Sequence, residues 1–491
     1  GKASVLYIPL TICSYYLDGF LGGDAISFHF VNLFLHLLNI LLLYKLLRLL
    51  KLPEYLTLIV LIFFALNPVI TESVCWITER KDVLYAFFLL CAAIFFLKDQ
   101  QQKSQRCYYA SLFLFILACL SKPMAVSFPL VAAVYLYANG TLKESFIKMI
   151  PFVLVAVFIS FITYYFIVIK NGPLSKTTFS GYSISQKSFL FISETGFYFT
   201  RYLWPVNISL FHFFPGPTEL YSFKITLCFV AGLTYIFCLY YFRSNKNILC
   251  LLIAWLIMLL PVMQIIPNSQ SYVNERYFYL TLILPVYFGG FFLQKMLKVK
   301  TFLFLSYSLV VIFAILTFKQ AQCWNNSETL FQYELSLDNK NRSALNILGC
   351  YYNGIGEFYK ARPYLAKALS IDSTNASCLN NYGWCLYGMG KPDSGIVFLK
   401  RATLYKRNFL EAYNNLGVCY LHNGEKEKAL EEFKAAERIK KDHPDVMFNL
   451  GVCYFFDKER QLGIYYLKNA AAKGHKRAQQ LIEKYKLYSA L

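Results

Sequence analysis

The chain has 491 residues, of which 57% are hydrophobic and 18% aromatic but only 15% charged. A soluble globular protein of this length needs far more charge, so the composition implies a chain solvated largely by lipid. The formal net charge of +20 does not point to nucleic acid, because the lysines and arginines are scattered through short loops rather than gathered in one stripe. Fourteen cysteines invite a disulfide or metal reading, but eight fall in the apolar part and no CxxC occurs. They read as small buried hydrophobes.

Residues 1–26 read as a loop, with Pro9, Asp18, Gly22, Gly23 and Asp24, and a further span is expected N-terminal to it. Asp18, in a turn-like Leu-Asp-Gly, reads as solvated. Ten apolar segments follow, near 27–50, 55–70, 83–98, 107–121, 124–139, 147–169, 222–242, 247–267, 277–295 and 300–318. Basic residues mark alternate loops: Lys45, Arg48 and Lys51; Lys98, Lys103 and Arg106; Lys143 and Lys148; Arg243 and Lys246; Lys295, Lys298 and Lys300. By the positive-inside rule these five loops are cytoplasmic, and residues 1–26 and the C-terminal region lie outside.

The outward loops carry the remaining chemistry. In Asn67–Asp82, Glu72, Trp76 and Glu79 fall at i, i+4 and i+7, which on a helix sets two carboxylates around an indole. Ser121-Lys122-Pro123 forms the next loop. The stretch 170–221 has no clear pair of spans; within it 187–206 is amphipathic and is expected at the membrane interface, ending Arg201-Tyr202-Leu203-Trp204-Pro205. The last loop, 268–276, ends Asn274-Glu275-Arg276. His29 and His36, on one helical face, suit helix–helix hydrogen bonds better than a metal.

Beyond residue 320 the pattern changes. Gly349, Gly383, Gly417 and Gly451 recur every 34 residues, the interval of the tetratricopeptide repeat. Other columns repeat in phase, among them Leu365, Leu399, Phe433 and Leu467, and Ala368, Ala402, Ala436 and Ala470. Small residues alternate with large ones because paired helices must approach closely and then stack. Residues 321–338 read as a half repeat and 474–491 as a capping helix. Asn346, Asn380 and Asn414 recur three residues before a repeat glycine; they either hydrogen-bond a bound peptide backbone or face water and cap neighbours.

Taken in order, His29-Phe-x-Asn32-x-x-x-His36, Asn67-Pro-Val-x-x-Glu72-x-x-x-Trp76-Ile-x-Glu79-Arg80-x-Asp82, Ser121-Lys122-Pro123, Leu203-Trp204-Pro205, Asn274-Glu275-Arg276-Tyr277 and then the repeats resemble one family. It is that of the bacterial relatives of the transmembrane and tetratricopeptide-repeat-containing O-mannosyltransferases, in the GT-C class of membrane glycosyltransferases. The resemblance implies an all-α fold, with residues 1–26 as the remnant of a first outward loop, a multi-pass GT-C-like bundle over 27–319 and an α-solenoid over 320–491. It implies sugar transfer from a polyprenyl-phosphate donor to a protein hydroxyl on the extracytoplasmic face, with the repeats binding acceptor or partner protein.

On that reading Glu72, Glu79 and Asp82 are the candidate catalytic carboxylates, and the family's main base is expected N-terminal to Gly1. Arg80, Lys122, Arg201 and Arg276 are candidates for the donor phosphate. Plainer roles stand beside these: Glu79 and Asp82 favour a helix N-terminus, Arg80 and Lys122 reach lipid headgroups, and Arg201 anchors the interface beside Trp204. No metal-ligand pattern occurs, although the class leaves room for a divalent metal. A membrane scaffold recruiting proteins through its repeats, or a transporter, are the rival functions.

Overall fold

The computed structural model describes residues 7–20, 22–166, 182–216, 219–263, 271–296, 298–457, 459–485 and 487. Residues 167–181, in the third outward stretch, and 264–270, where the eighth span was expected to end, lie outside them. The described chain is helical, with one isolated antiparallel bridge between Phe213 and Ser271. It divides into two compact units, Gly1–Trp324 and Asn325–Leu491.

The first unit runs α1 (Pro9–Phe20), α2 (Ala25–Leu49), α3 (Glu54–Leu66), the single turn α4 (Thr71–Cys75), α5 (Arg80–Gln102), α6 (Gln105–Ser121), α7 (Phe128–Ala138), α8 (Leu142–Tyr164), α9 (Ile184–Leu203), α10 (Phe223–Tyr241), α11 (Lys246–Leu259), α12 (Phe278–Thr281), α13 (Ile283–Met296) and α14 (Val299–Cys323). Residues 9–20, read from the sequence as loop, are thus a helix. α2 starts where Asp24 accepts a hydrogen bond from the Ser27 amide at 2.8 Å.

Among the described residues, four helices are long and apolar enough to cross a membrane: Ala25–Leu49, Leu142–Tyr164, Phe223–Tyr241 and Lys300–Cys323. Glu54–Leu66 and Pro68–Cys75 together also pass, as a pair bent by 46°. Others are shorter, such as the 14-residue α11, which at 1.5 Å per residue covers about 21 Å of a ~30 Å hydrocarbon layer. The 23-residue α5 opens on Arg80, Lys81 and Asp82.

The basic helix ends gather at one end of the bundle. Asp99 of α5 pairs with Lys148 of α8 at 2.9 Å, Gln101 donates to the Leu49 carbonyl of α2 at 3.3 Å, and Lys246 of α11 stands 4.7 Å from the Tyr137 ring of α7. The loops with the candidate site residues connect the helices at their other ends. The amphipathic α9 does not stand apart from the bundle. It packs lengthwise on α10, burying Leu190, Ser193, Glu194, Phe197 and Tyr198. Gly196 and Gly232 let the two backbones touch: a Cβ on Gly196 would overlap the Cys228 carbonyl.

The second unit is a solenoid. A half repeat, α15 (Ser327–Leu337), precedes the pairs α16 (Arg342–Gly354) with α17 (Phe358–Ile371), α18 (Ala376–Gly388) with α19 (Pro392–Tyr405), α20 (Leu410–His422) with α21 (Lys426–Ile439), and α22 (Pro444–Phe455) with α23 (Arg460–Ala472). α24 (Lys476–Lys484) covers the end. The repeat glycine faces the large residue of its partner helix. A Cβ at Gly417 would lie 2.5 Å from the Phe433 ring, and one at Gly451 2.8 Å from Leu467. Cys385, Cys419 and Cys453 are buried in this core as small apolar side chains.

Replacing Gly196 by alanine forces α9 off α10, an overpacking cost of about 1–3 kcal/mol. The melting temperature in detergent is expected to fall by several degrees for Gly196→Ala and to hold for Gly216→Ala, where nothing lies within 4 Å. Equal melting of the two variants would contradict the close approach.

Candidate functional site

The α3–α5 connection sets the first carboxylates. Asn67 caps it, its side-chain oxygen accepting from the Val69 amide at 3.0 Å. α4 then lasts only to Cys75, and Trp76 is extended, with ψ 115°. The expected single helical face through Glu72, Trp76 and Glu79 is therefore broken at Trp76, whose ring lies 5.8 Å from Trp324. Glu79 belongs to a new turn leading into α5.

Side chains from three connections nonetheless form one linked cluster. Arg276 donates to Glu72 at 3.1 Å. Ser73 donates to Asp82 at 2.9 Å and approaches the Arg276 carbonyl at 3.5 Å. Lys122 donates to the other Asp82 oxygen, and its Nζ lies 5.1 Å from the Tyr277 ring and 5.5 Å from the Tyr85 ring. Lys81 donates to Glu79 at 2.9 Å, and the second Glu79 oxygen has no hydrogen-bond partner among the described residues. Glu72, Glu79, Asp82 and Lys122 are buried, whereas Arg276 keeps 20% of its side chain exposed. Its one described side-chain hydrogen bond goes to Glu72, and its guanidinium lies 5.5 Å from the Tyr277 ring.

These charges set one another's titration. Burial pushes the Glu72 carboxyl up to about 8, against the pull of Arg276. Burial acts on Glu79 in the same sense, but Lys81, Arg276 and Lys122 together outweigh it and hold that carboxyl below its ordinary value. Burial would lower Arg276; the negative field of Tyr277, Glu72, Glu79 and Asp82 reverses this and keeps it charged.

Arg80 lies elsewhere, although it sits between Glu79 and Lys81 in sequence. It is wholly buried and points to the opposite side of the chain. Its Nε donates to Asn32 at 2.8 Å, its Nη2 to the Phe28 carbonyl at 3.0 Å and its Nη1 to Asp18 and the Ser14 carbonyl, with the Tyr15 ring 4.9 Å away. So committed, it has no face for a phosphate and pins α1 and α2 to α5. Asp18 is accordingly not a solvated turn residue but the buried partner of this arginine.

Arg201 is also committed. It donates to the Val206 and Asn207 carbonyls, and its Nε lies 3.4 Å from Glu275. Glu275 is fully buried and bonded through both oxygens to His212 Nε2, at 2.9 and 2.7 Å. Burial of Glu275 is outweighed by His212 and Arg201, which hold its carboxyl below its ordinary value. The Tyr272 amide donates to the His212 carbonyl at 2.6 Å, so this network ties the loop after α9 to the one that carries Arg276. Of the two early histidines, His36 shares a 2.7 Å hydrogen bond with the Tyr279 hydroxyl, which links α2 to α12. The described residues gather no three His, Cys, Asp or Glu able to hold a metal ion.

An apolar cleft of about 330 Å³ opens between α2, α5, α7, α11 and α13, lined by Leu46, Leu89, Ala93, Phe128, Leu251 and Leu284 among others, and reaches Leu50, Leu97 and Asn247 at the basic helix ends. Leu89 lies seven residues beyond Asp82 on the same face of α5, about 10 Å along the helix.

In the solenoid the recurrent asparagines are not left to solvent. Asn381 donates to Asn346 at 3.0 Å, Asn415 to Asn380 at 3.0 Å and Asn449 to Asn414 at 2.8 Å. They bridge adjacent repeats, the capping alternative left open by the sequence.

Residues 17–166 match the family described as dolichyl-phosphate-mannose-protein mannosyltransferase, and residues 343–375 and 410–443 match the tetratricopeptide repeat. Residues 17–166 thus resemble a protein-mannosyltransferase domain of the GT-C class, and the two later stretches resemble tetratricopeptide repeats. No protein of curated function matches it. Among solved structures, that of MamA is 28% identical over 30% of this chain and 87% of its own, with a TM-score of 0.27. YrrB, described as a TPR protein with an unusual peptide-binding site, is 23% identical over 37% and 89%, with a TM-score of 0.27. PilF of Pseudomonas aeruginosa is 22% identical over 35% and 80%, with a TM-score of 0.29.

The mannosyltransferase match takes in Glu72, Glu79, Asp82 and Lys122, whereas Arg201 and Arg276 lie beyond it. Sequence reasoning did not single out Lys81, Ser73 or His212. The first two adjoin residues it named; a lone histidine between Pro205 and Pro215 gives no periodic signal.

Because Glu72 titrates near 8 here and at 4.5 ordinarily, the folded protein holds the extra proton between those values, and stability is lost as pH rises through that window. Melting temperature in detergent should therefore decline more steeply from pH 5 to 8 for the native chain than for Glu72→Gln. Parallel profiles would show that Glu72 is not proton-bearing.

Proposed function

We propose that the protein moves a sugar, mannose on the matched family's description, from a polyprenyl-phosphate donor to a protein hydroxyl on the extracytoplasmic side of the membrane. In a bacterial cell this is the periplasmic face of the inner membrane, where the non-basic ends of the helices lie if the positive-inside rule holds. The observation that carries the reading is that one face of α5 bears Asp82 of the buried, mixed-charge cluster and, about 10 Å further along, Leu89 of an apolar cleft. A donor with an anionic head and an isoprenoid tail matches that arrangement end to end.

Arg276 and Lys122 hold the phosphate: both stand in the cluster, and Arg276 makes one side-chain hydrogen bond among the described residues. Lys81, beside Glu79, adds a third cation. Arg80 and Arg201 serve instead to fix the loops. Glu72, titrating near 8, is the carboxylate matched to accept a proton from an alcohol. As the acceptor oxygen loses its proton to Glu72, it attacks C1 of the sugar. The C1–O bond to phosphate breaks, and polyprenyl phosphate leaves with its charge met by Arg276 and Lys122. One displacement inverts the anomeric carbon and forms no covalent enzyme intermediate. Glu79 stays ionised, and its unpartnered oxygen accepts from a sugar hydroxyl. Asp82 keeps Lys122 in place. The repeats bind the acceptor or a partner protein.

In membranes supplied with polyprenyl-phosphate mannose and a Ser/Thr-rich acceptor, Glu72→Gln and Arg276→Ala are expected to lose transfer by about 10²-fold or more while remaining folded. Native-level incorporation of labelled mannose by both would overturn the site. Filling the cleft with Ala93→Trp should raise the donor KM severalfold and leave the acceptor KM unchanged. An unaltered donor KM would remove the cleft from the account.

A further inference from the structure

The charge of the solenoid is uneven. Residues 357–407 hold eight lysines and arginines against three carboxylates, Glu357, Asp372 and Asp393. All eight cations lie on α17 or α19 or within two residues of their ends, and α18 between them carries none. Two of the three carboxylates are already met, Glu357 by Lys360 at 3.8 Å and Asp372 by Arg342. In the next 34 residues, 408–441, six glutamates balance six lysines and arginines. The excess positive charge is therefore gathered on two neighbouring helices rather than spread along the repeats.

The same two helices expose large apolar side chains. Tyr359 on α17 is 77% exposed, and Val397 and Leu404 on α19 are 57% and 70% exposed; Ile371 and Tyr405 are exposed as well. Val397, Lys400 and Leu404 fall at i, i+3 and i+7, so they share one face of α19, with the lysine between the two apolar residues. Thirty-four residues later the same positions on α21 are Glu431 and Arg438, both exposed. The repeat accepts charge there, so stacking of the helices does not call for Val397 or Leu404.

We infer that the exposed face of α17 and α19 docks on a lipid surface that carries anionic headgroups. Basic side chains set around exposed Tyr, Val and Leu are the pattern by which an amphipathic surface enters the headgroup layer. The apolar side chains leave water for the upper acyl region while the lysines and arginines stay with the phosphates. Long basic stems reach both layers, and tyrosine, with an apolar ring and a polar tip, suits the boundary between them. A protein partner fits less well, because protein interfaces are depleted of lysine at their centre, whereas Lys400 stands between Val397 and Leu404. The tether agrees. α14, one of the helices able to cross a membrane, ends at Cys323 and α15 begins at Ser327, so the solenoid starts within a few residues of a membrane span. That attachment gives any lipid-binding face a high effective concentration of bilayer. The inference rests on no part of the catalytic reading.

The test is photo-crosslinking of the full chain in nanodiscs made of phosphatidylcholine alone or of phosphatidylcholine with phosphatidylglycerol. A photoreactive benzoylphenylalanine stands in place of Leu404 or, as a control, in place of Glu431 on the neighbouring helix, and adducts are read by mass spectrometry of the digested chain. Lipid adducts at position 404 are expected to rise about tenfold when phosphatidylglycerol is present, and to fall back in high salt. Adding Lys367→Glu and Lys400→Glu should return them to the phosphatidylcholine level, while circular dichroism and melting hold because both lysines are exposed. Position 431 should give few adducts in either bilayer. Equal labelling in the two bilayers, equal labelling at positions 404 and 431, no response to the charge reversal, or adducts with protein instead of lipid would each overturn the inference.

Discussion

Taking ionised side chains out of water costs several kcal/mol each unless they are paired, and the loop-bearing end of this helix bundle is organised around that cost. Asp82 is met by Lys122 and Ser73, Glu79 by Lys81, Glu275 by His212 and Arg201, and Asp18 by Arg80. The Lys122, His212, Arg201 and Arg80 pairings draw together segments 40 or more residues apart in sequence. Glu72 is the exception in degree. It faces one cation, Arg276, in a site dry enough to push its carboxyl toward neutral pH. On the proposed function the chemistry falls to this less evenly paired part of the cluster, whereas Asp18, Arg80, Arg201 and Glu275 serve structure.

The division of labour explains why neighbouring residues behave so differently. Glu79, Arg80, Lys81 and Asp82 are consecutive, yet Arg80 turns toward Asp18 and Asn32 while the other three join the cluster that includes Lys122 and Arg276. One helical turn at the start of α5 therefore clamps α1 and α2 on one side and shapes a polar pocket on the other. The cleft continues that pocket side along α5 through Leu89 and Ala93, so a single helix sets the register between an anionic head and an apolar tail.

Much of this was legible in the sequence, for identifiable reasons. The repeats could be read in phase because a 34-residue period places Gly349, Gly383, Gly417 and Gly451 against Leu365, Leu399, Phe433 and Leu467, a local steric relation. Glu72, Asp82, Lys122 and Arg276 could be picked out because charges beside apolar segments are conspicuous. What could not be read was direction. Nothing local says that Arg80 turns away from its neighbours, that Asp18 is buried, or that Trp76 breaks the helix between Glu72 and Glu79; each follows from a partner in another segment. The asparagines were visible as a recurrence, but their bonds run between positions 35 residues apart, one more than the repeat, so the bridging emerges only once the helices are stacked.

The central claim is that the donor's head lies among Glu72, Lys122 and Arg276 while its tail enters the cleft between α5, α7 and α11. Photo-crosslinking with a polyprenyl phosphate that carries a diazirine near the head of its isoprenoid chain, followed by peptide mapping, tests it directly. The account predicts labelling at Leu89, Ala93 or Leu251, abolished by excess unlabelled polyprenyl phosphate. Labelling confined to outward-facing residues such as Val157, Phe158 or Val230, and indifferent to the competitor, would contradict it.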